Sequence, residues 1–228
     1  MSGLFYERQV SMAQPKLVIF DCDGVLVDSE PLTDAVMQKS FAHYGLDLPI
    51  TQINSLFVGG TMTGAMHQAR ALGAALPDHW LKEIYTEIYS VLEQSVELVP
   101  GVTGVLDELD RAGIGYAVGS NGRIRKMEIT LGRTGLLERF QGRFFSAQDC
   151  SAPKPAPDVY LKAAAHAGID PVDCVVIEDS ATGAKAGQAA GMRCFGYSAE
   201  TPRDMLRPYC DAVFDDMAEL HALLGLRT

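Results

Sequence analysis

The sequence predicts an α/β fold: a Rossmann-like parallel sheet with helices on both faces, and an all-helical insertion after the first strand. Three observations support this prediction. The continuous apolar run from Leu17 to Phe20 is typical of a strand buried on both faces of a parallel sheet. From Val102 onward, helical and strand patterns alternate, as they do in βαβ units. Residues 32 to 97 interrupt this alternation with helical patterns alone.

The expected elements follow from hydrophobic periodicity and turn signals, taken in chain order. After the first strand, apolar spacing predicts helices at 32–44, 63–72 and 80–93. Turn-like residues at 29–31 and 99–101 delimit this insertion. Beyond it, strands are expected at 116–118, 143–146, 174–177 and 193–197, with helices at 102–109, 127–134, 158–167 and 183–190. The predicted division is therefore a loose extension (1–15), a core (16–30 and 98–228) and a helical insertion (31–97).

Composition and charge exclude several classes of partner. There are 19 Lys and Arg against 29 Asp and Glu, and the net charge of −10 argues against a nucleic-acid or anionic-membrane partner. Neither an apolar run of membrane-spanning length nor a signal-peptide pattern is present, so a cytoplasmic protein is expected. The five cysteines form no CxxC pair and are expected to be reduced. A monomer is also expected.

Two carboxylates directly follow the first predicted strand. Asp21 and Asp23 are two residues apart, so both can face one pocket, and Gly24 permits a sharp turn. Ligands of open α/β sheets bind beyond the carboxyl ends of such strands. An Asx-turn that merely ends the strand would explain one aspartate and the glycine.

Three further polar groups lie at or near later strand ends. Ser120 and Asn121 follow one strand, the pair Glu178-Asp179 follows another, and Lys154 lies between them in a proline-rich loop. Singly, these are typical of a turn, a helix N-cap and a solvated lysine. Together with the two aspartates they satisfy the needs of phosphate monoester chemistry, which are a nucleophile, a general acid, a metal site and phosphate donors.

At this point the chain resembles the haloacid dehalogenase superfamily, from Lys16 to the C-terminal helix. The motif DxDGxLxDS matches residues 21–29, and the other three motifs match Ser120, Lys154 and the pair Glu178-Asp179. The segments DGVLVDSEPL, KPAPDVY and IEDSATGAKAG are most similar to the branch of β-phosphoglucomutase and small sugar phosphatases. In that branch the helical insertion is a cap over the active site, so residues 31–97 are expected to select the substrate.

The resemblance also implies roles for individual residues. Asp21 would form an aspartyl-phosphate, and Asp23 would protonate the leaving group and then activate water. Mg²⁺ would be held by Asp21, Asp179, the backbone carbonyl of Asp23 and, directly or through water, Glu178. Ser120, Asn121 and Lys154 would contact the phosphate.

Within the insertion, the residues that point to a particular reaction are few. The loop with Gly60 and Thr61 is expected to approach the substrate, although an interhelical turn explains it equally well. Thr33 stands where mutases of this branch carry a catalytic histidine, and threonine is no base near neutral pH. Arg123 and Lys126 fit either a second anionic group of the substrate or a solvated helix start.

The expected function is a Mg²⁺-dependent phosphatase of small phosphorylated metabolites, such as sugar or polyol phosphates. The alternative is a β-phosphoglucomutase-like mutase. A catalytically silent binding module would not need both aspartates, the lysine and the acidic pair together.

Overall fold

The computed structural model describes residues 14–57 and 61–226, apart from the side chains of Asn54, Ser55 and Phe57. Most of the expected N-terminal extension therefore lies outside the described residues. The strands are β1 (Leu17–Phe20), β2 (Val27–Asp28), β3 (Glu97–Leu98), β4 (Gly115–Ser120), β5 (Phe144–Ser146), β6 (Cys174–Glu178), β7 (Arg193–Tyr197) and β8 (Ala212–Phe214). The helices are α1 (Glu30–His43), α2 (Ile50–Phe57), α3 (Met62–Ala71), α4 (Trp80–Ser95), α5 (Val102–Ala112), α6 (Ile124–Arg133), α7 (Asp158–Ala167), α8 (Ala181–Ala189), α9 (Arg203–Leu206) and α10 (Leu220–Leu223).

The main sheet has six parallel strands in the order β5-β4-β1-β6-β7-β8. Side chains alternate between its two faces: Val18 and Phe20 join a core that includes residues of α5, α6 and α10. Leu17 and Ile19 join a second core with residues of α7 and α8. The predicted parallel sheet with helices on both faces is confirmed.

This topology determines where the strand ends meet. The central strand β1 pairs with β4 on one side and β6 on the other, with Phe20 level with Val118 and Ile177. The residues that follow these three strands therefore emerge side by side at the carboxyl edge of the sheet.

The helices α1 to α4 lie between β2 and β3, which pair as a short antiparallel ribbon. Helix α1 packs against α4, where Trp80 stacks on Phe41 with 5.5 Å between ring centroids. The indole N–H of Trp80 donates to Ser40 Oγ at 2.8 Å. Helix α4 also packs against α6, so the insertion rests on the sheet-bearing part of the chain.

The sequence does not predict five elements, which are α2, β2, β3, β8 and the single-turn helix α9. Helix α2 was not expected, because its sequence ITQINSLF mixes apolar residues with poor helix formers. The ribbon of β2 and β3 has two residues in each strand, too few for any period to show. The edge strand β8 has three residues and was missed for the same reason. No described helix is long and apolar enough to cross a membrane.

Candidate active site

A cavity of about 180 Å³ opens at the carboxyl edge of the sheet. Its floor comes from the residues after β1, β4 and β6, and its roof from α1, α3 and α4. The floor includes seven of the residues that the sequence singled out, namely Asp21, Asp23, Ser120, Asn121, Lys154, Glu178 and Asp179.

Asp21 lies at the centre of the floor and is almost fully buried. Its backbone N–H donates to Ile177 O at 2.9 Å, which continues the pairing of β1 with β6. Lys154 Nζ donates to Asp21 Oδ1 at 2.6 Å and to Glu178 Oε1 at 2.8 Å. Burial, opposed by the Lys154 ammonium, raises the pKa of Asp21 to about 7.

The carboxylate of Glu178 accepts four hydrogen bonds. Its Oε1 accepts from Lys154 and from the Tyr160 hydroxyl at 2.9 Å, while Oε2 accepts from the backbone N–H and hydroxyl of Ser180. Burial opposes ionisation, but the Lys154 ammonium and these hydrogen bonds hold the pKa of Glu178 below its usual value. Gly183 packs so closely that a Cβ there would lie 1.5 Å from Oε1. Glu178 is thus a fixed anion.

Asp179 is buried but differs from Glu178, because no described residue donates a hydrogen bond to its carboxylate. Burial and the nearby charges of Glu178 and Glu30 raise its pKa well above the usual value. Gly24, with φ of +76°, comes so close that a Cβ would lie 2.1 Å from Oδ2. A buried carboxylate without a donor is the environment expected of a cation ligand.

The acidic cluster fits a divalent metal. Asp21, Glu178 and Asp179 each offer one oxygen, and these three atoms lie within 4.8 Å of one another. Hard carboxylate oxygens suit Mg²⁺, which keeps several waters and takes one or two protein carboxylates. Because Glu178 already accepts four hydrogen bonds, Asp21 and Asp179 are the better placed direct ligands.

Asp23 is paired with a different cation. Lys126 Nζ lies 2.8 Å from Asp23 Oδ1, and the buried Ser29 donates its hydroxyl to the same oxygen. Burial opposes ionisation, but the Lys126 ammonium and the two hydrogen bonds hold the pKa of Asp23 below its usual value. The pKa is therefore raised for Asp21 and lowered for Asp23, the two aspartates of the first motif.

The loop after β4 lines the cavity beside Asp21 and is held by hydrogen bonds of its own side chains. Ser120 Oγ accepts from the backbone N–H of Gly122 at 2.9 Å, and Ser146 Oγ donates to Gly122 O at 2.7 Å. Asn121 Oδ1 accepts from the backbone N–H of Lys154 at 2.9 Å. Asn121 thus joins the Ser120 loop to the Lys154 loop and lines the cavity at the same time.

The roof of the cavity is more acidic than the sequence suggested. Thr33, Glu30 and Asp34 of α1 face the cavity, and burial together with Asp23 raises the pKa of Glu30 to about 7. Thr33 Oγ1 donates to Ser29 O at 2.9 Å. Thr61 lines the cavity while its hydroxyl accepts from Gly64 N as the cap of α3. Gly60 lies outside the described residues.

Two site residues have environments that the sequence did not indicate. The sequence leaves Lys126 as either a solvated or a substrate-contacting residue; its side chain is only 16% exposed, which excludes the solvated alternative, and its ammonium pairs with Asp23. Arg123 lies 4.1 Å over the ring of Tyr85, which connects the start of α6 to α4 of the roof. The only signal for Lys126 was a charge in the first turn of the helix after the Ser120 loop.

The comparisons with known proteins agree with this geometry. A model of the haloacid dehalogenase-like hydrolase family matches residues 15–191. The chain belongs to this family, and the expectation of a phosphoric monoester hydrolase is confirmed.

Its relatives include enzymes of the expected branch. The fructose-1-phosphate phosphatase YqaB of Escherichia coli K12 is 34% identical over 82% of this chain and 95% of its own length. Hexitol phosphatase B of the same strain is 30% identical over 94% of this chain and 100% of its own. A solved structure of a HAD family hydrolase from Deinococcus radiodurans R1, with bound phosphate and sodium, is 33% identical. It superposes with a TM-score of 0.78 over 95% of this chain and 99% of that one.

Proposed function

We propose that the protein is a Mg²⁺-dependent phosphatase of small sugar or polyol phosphates that acts through an aspartyl-phosphate. The observation that carries this proposal is the position of Asp21, whose carboxylate accepts a hydrogen bond from Lys154 and has an oxygen within 4.8 Å of oxygens of Glu178 and Asp179. A phosphoryl group at this point would have a nucleophile, a cation and the Ser120 loop around it. Relatives that act on fructose 1-phosphate and hexitol phosphates support the substrate class.

In the first step, Asp21 attacks phosphorus. The bond between phosphorus and the ester oxygen breaks as a proton from Asp23 reaches that oxygen, which leaves a neutral alcohol and an ionised Asp23. In the second step, Asp23 takes a proton from water while the water oxygen attacks phosphorus. The bond to Asp21 breaks, and inorganic phosphate leaves. Both half-reactions use the same two carboxylates.

The other polar groups bind and orient the phosphoryl group. Lys154 and the loop of Ser120 and Asn121 would hold the phosphoryl oxygens, because both line the cavity beside Asp21. Mg²⁺ on Asp21 and Asp179 would supply the positive charge that lets one anion approach another. We further propose that residues 31–97 act as the cap, with the loop at Gly60 and Thr61 near the substrate.

Two substitutions test the covalent mechanism. Asp21→Asn should abolish turnover with the fold intact, because the amide is nearly isosteric but is no nucleophile. Asp23→Asn should lower the rate by about 10² to 10⁴, the usual share of a positioned acid and base. The measurement is phosphate release from para-nitrophenyl phosphate and from fructose 1-phosphate, hexitol phosphates and 6-phosphogluconate. Activity of Asp21→Asn above a small fraction of wild type, with deamidation excluded, would show that the mechanism is wrong.

The mutase alternative requires a base in the roof to activate a sugar hydroxyl. Thr33 lines the cavity, but its hydroxyl donates to Ser29 O, and a threonine cannot take that role near neutral pH. His43, the nearest histidine in sequence, is exposed on α1 and packs edge-on against Tyr44. Net hydrolysis is therefore expected. Glucose 1-phosphate coupled to glucose-6-phosphate dehydrogenase should give no NADPH production faster than phosphate release; the opposite result would identify a mutase.

A further inference from the structure

Lys126 lies outside the four motifs, yet its ammonium is buried beside a reacting carboxylate. It belongs to the first turn of α6, its side chain is 16% exposed, and its Nζ lies 2.8 Å from Asp23 Oδ1. A long cationic side chain gives up hydration to occupy such a position. It also lines the cavity. The burial of Lys126, its pairing with Asp23 and its place in the cavity indicate a role in the site.

The two oxygens of Asp23 have different surroundings. Oδ1 accepts from Lys126 and from Ser29, whereas no described residue donates to Oδ2. Oδ2 faces the loop of Ser120: a Cβ built on Gly122 would lie 3.5 Å from Oδ2 and 3.2 Å from Ser120 Oγ. Oδ2 is therefore the oxygen of Asp23 directed towards the place where a phosphate ester would bind.

We propose that Lys126, together with Ser29, is a positioning residue that fixes Oδ1 of Asp23 so that Oδ2 delivers the proton to the leaving oxygen. This inference rests on the proposed function. In the step concerned, the Oδ2–H bond breaks and a bond from hydrogen to the ester oxygen forms as that oxygen leaves phosphorus and Asp21 takes its place. A carboxyl group free to rotate would reach this oxygen less often, and misplacement by about 1 Å can cost about 10² in rate.

Loss of the Lys126 ammonium should change the rate of proton transfer in opposite directions through the position of Asp23 and through its charge. Removing the Lys126 ammonium also removes the charge that keeps Asp23 ionised, and this effect alone would increase the protonated fraction and speed transfer to an alkyl leaving group. A loss of activity on alkyl phosphates therefore reports the position of the carboxyl rather than its charge.

The test compares two leaving groups in Lys126→Met, which keeps an aliphatic stem and loses the ammonium. The kinetic constant is kcat/KM, because it covers the steps up to departure of the leaving group. For whichever of the alkyl phosphates named above is hydrolysed fastest, kcat/KM should fall by about 30- to 100-fold. For para-nitrophenyl phosphate, whose leaving group needs no proton, it should stay within about 3-fold of wild type.

Two further variants separate positioning from other effects. Lys39→Met removes an exposed lysine of α1 that does not line the cavity, and should leave both constants unchanged. Ser29→Ala removes the other donor to Oδ1 without changing charge, and should show the same selective loss at about 10-fold. Thermal unfolding of each variant verifies that it is folded.

The outcomes are distinct. An equal loss on both esters would assign Lys126 to folding or phosphate binding and overturn the inference, as would a gain or no change on the alkyl ester. A rise in KM for both esters, with kcat unchanged, would show that Lys126 binds the phosphate group directly, which also overturns it. A wild-type protein inactive on every ester would refute the proposed function, and the positioning role with it.

Discussion

Gly183 offers a sharp test of how the acidic cluster is held. It is the third residue of α8, and a Cβ at this position would lie 1.5 Å from Glu178 Oε1 and 2.0 Å from Cδ. The clash is with a carboxylate fixed by Lys154, Tyr160 and Ser180, so Glu178 cannot move aside and keep its partners. Gly183→Ala should therefore displace Glu178.

The size of the effect follows from the bonds that Glu178 makes. A hydrogen bond to a charged group contributes about 1.5–3 kcal/mol, and breaking a buried ion pair costs about 3–5 kcal/mol. Alanine in a helix is about 0.5–1 kcal/mol better than glycine, which offsets part of this loss. The expected net decrease in the free energy of unfolding is about 2–4 kcal/mol. For a chain of this length that lowers Tm by roughly 5–15 °C.

Gly104→Ala is the matched control. Gly104 is the third residue of α5, it is exposed, and a Cβ there would meet nothing within 4 Å. It should gain the helix preference of about 0.5–1 kcal/mol without any clash. Urea unfolding of both variants in EDTA gives the difference, and phosphate release with Mg²⁺ shows the loss of activity for Gly183→Ala alone. If the two variants were equally stable, Glu178 would not be fixed by the contacts described.

The remaining predictions concern the metal and pH. EDTA should abolish activity and Mg²⁺ restore it, whereas Ca²⁺ should inhibit because its larger, looser shell misplaces the nucleophile; full activity after dialysis against EDTA would rule out the metal. In the metal-free protein the pKa of Asp21 is raised to about 7, so the folded state binds a proton that the unfolded state releases near pH 4. Its contribution to stability is present below about pH 4 and lost as pH rises to about 7. Urea unfolding in EDTA at several pH values should show this decrease, and Asp21→Asn should make it smaller, because the remainder comes from Glu30 and Asp179, whose pKa values are also raised.

The residues at strand ends were predictable because their neighbours in space follow from topology. A continuous apolar run identifies β1 as a central strand, and the motifs after β4 and β6 then fall beside Asp21. Lys154 was grouped with these residues for its charge and was assigned to a motif by the resemblance, since a lysine in a proline-rich loop has no period that indicates where its ammonium lies. The structure brings these groups together around one cavity.

The partner of Asp23 could not be predicted, for a different reason. Whether Lys126 points to solvent or to the site depends on where α6 begins and on how it packs against α4, and neither is encoded in the local pattern. The acidic roof is similar: Glu30 starts α1 immediately after the ribbon strand β2, whose two residues gave no signal. Sequence reasoning thus recovers what is fixed by strand order and misses what is fixed by helix placement.

Lys126 and Lys154 each pair with a different part of the cavity floor: Lys126 with Asp23, and Lys154 with Asp21 and Glu178. When all four are ionised, the carboxylates of Asp21, Asp23, Glu178 and Asp179 face two ammonium groups, which leaves two negative charges without a protein cation. Lys126 compensates Asp23 on its own, which places the whole excess on the side of Asp21 and Asp179. A divalent cation would balance this side, where the proposed mechanism places the attack on phosphorus, and it has no reason to approach Asp23 Oδ1. Under the proposed mechanism, the carboxyl group of Asp23 that transfers the proton is therefore kept apart from the charges that bind the phosphoryl group, because each side has its own lysine.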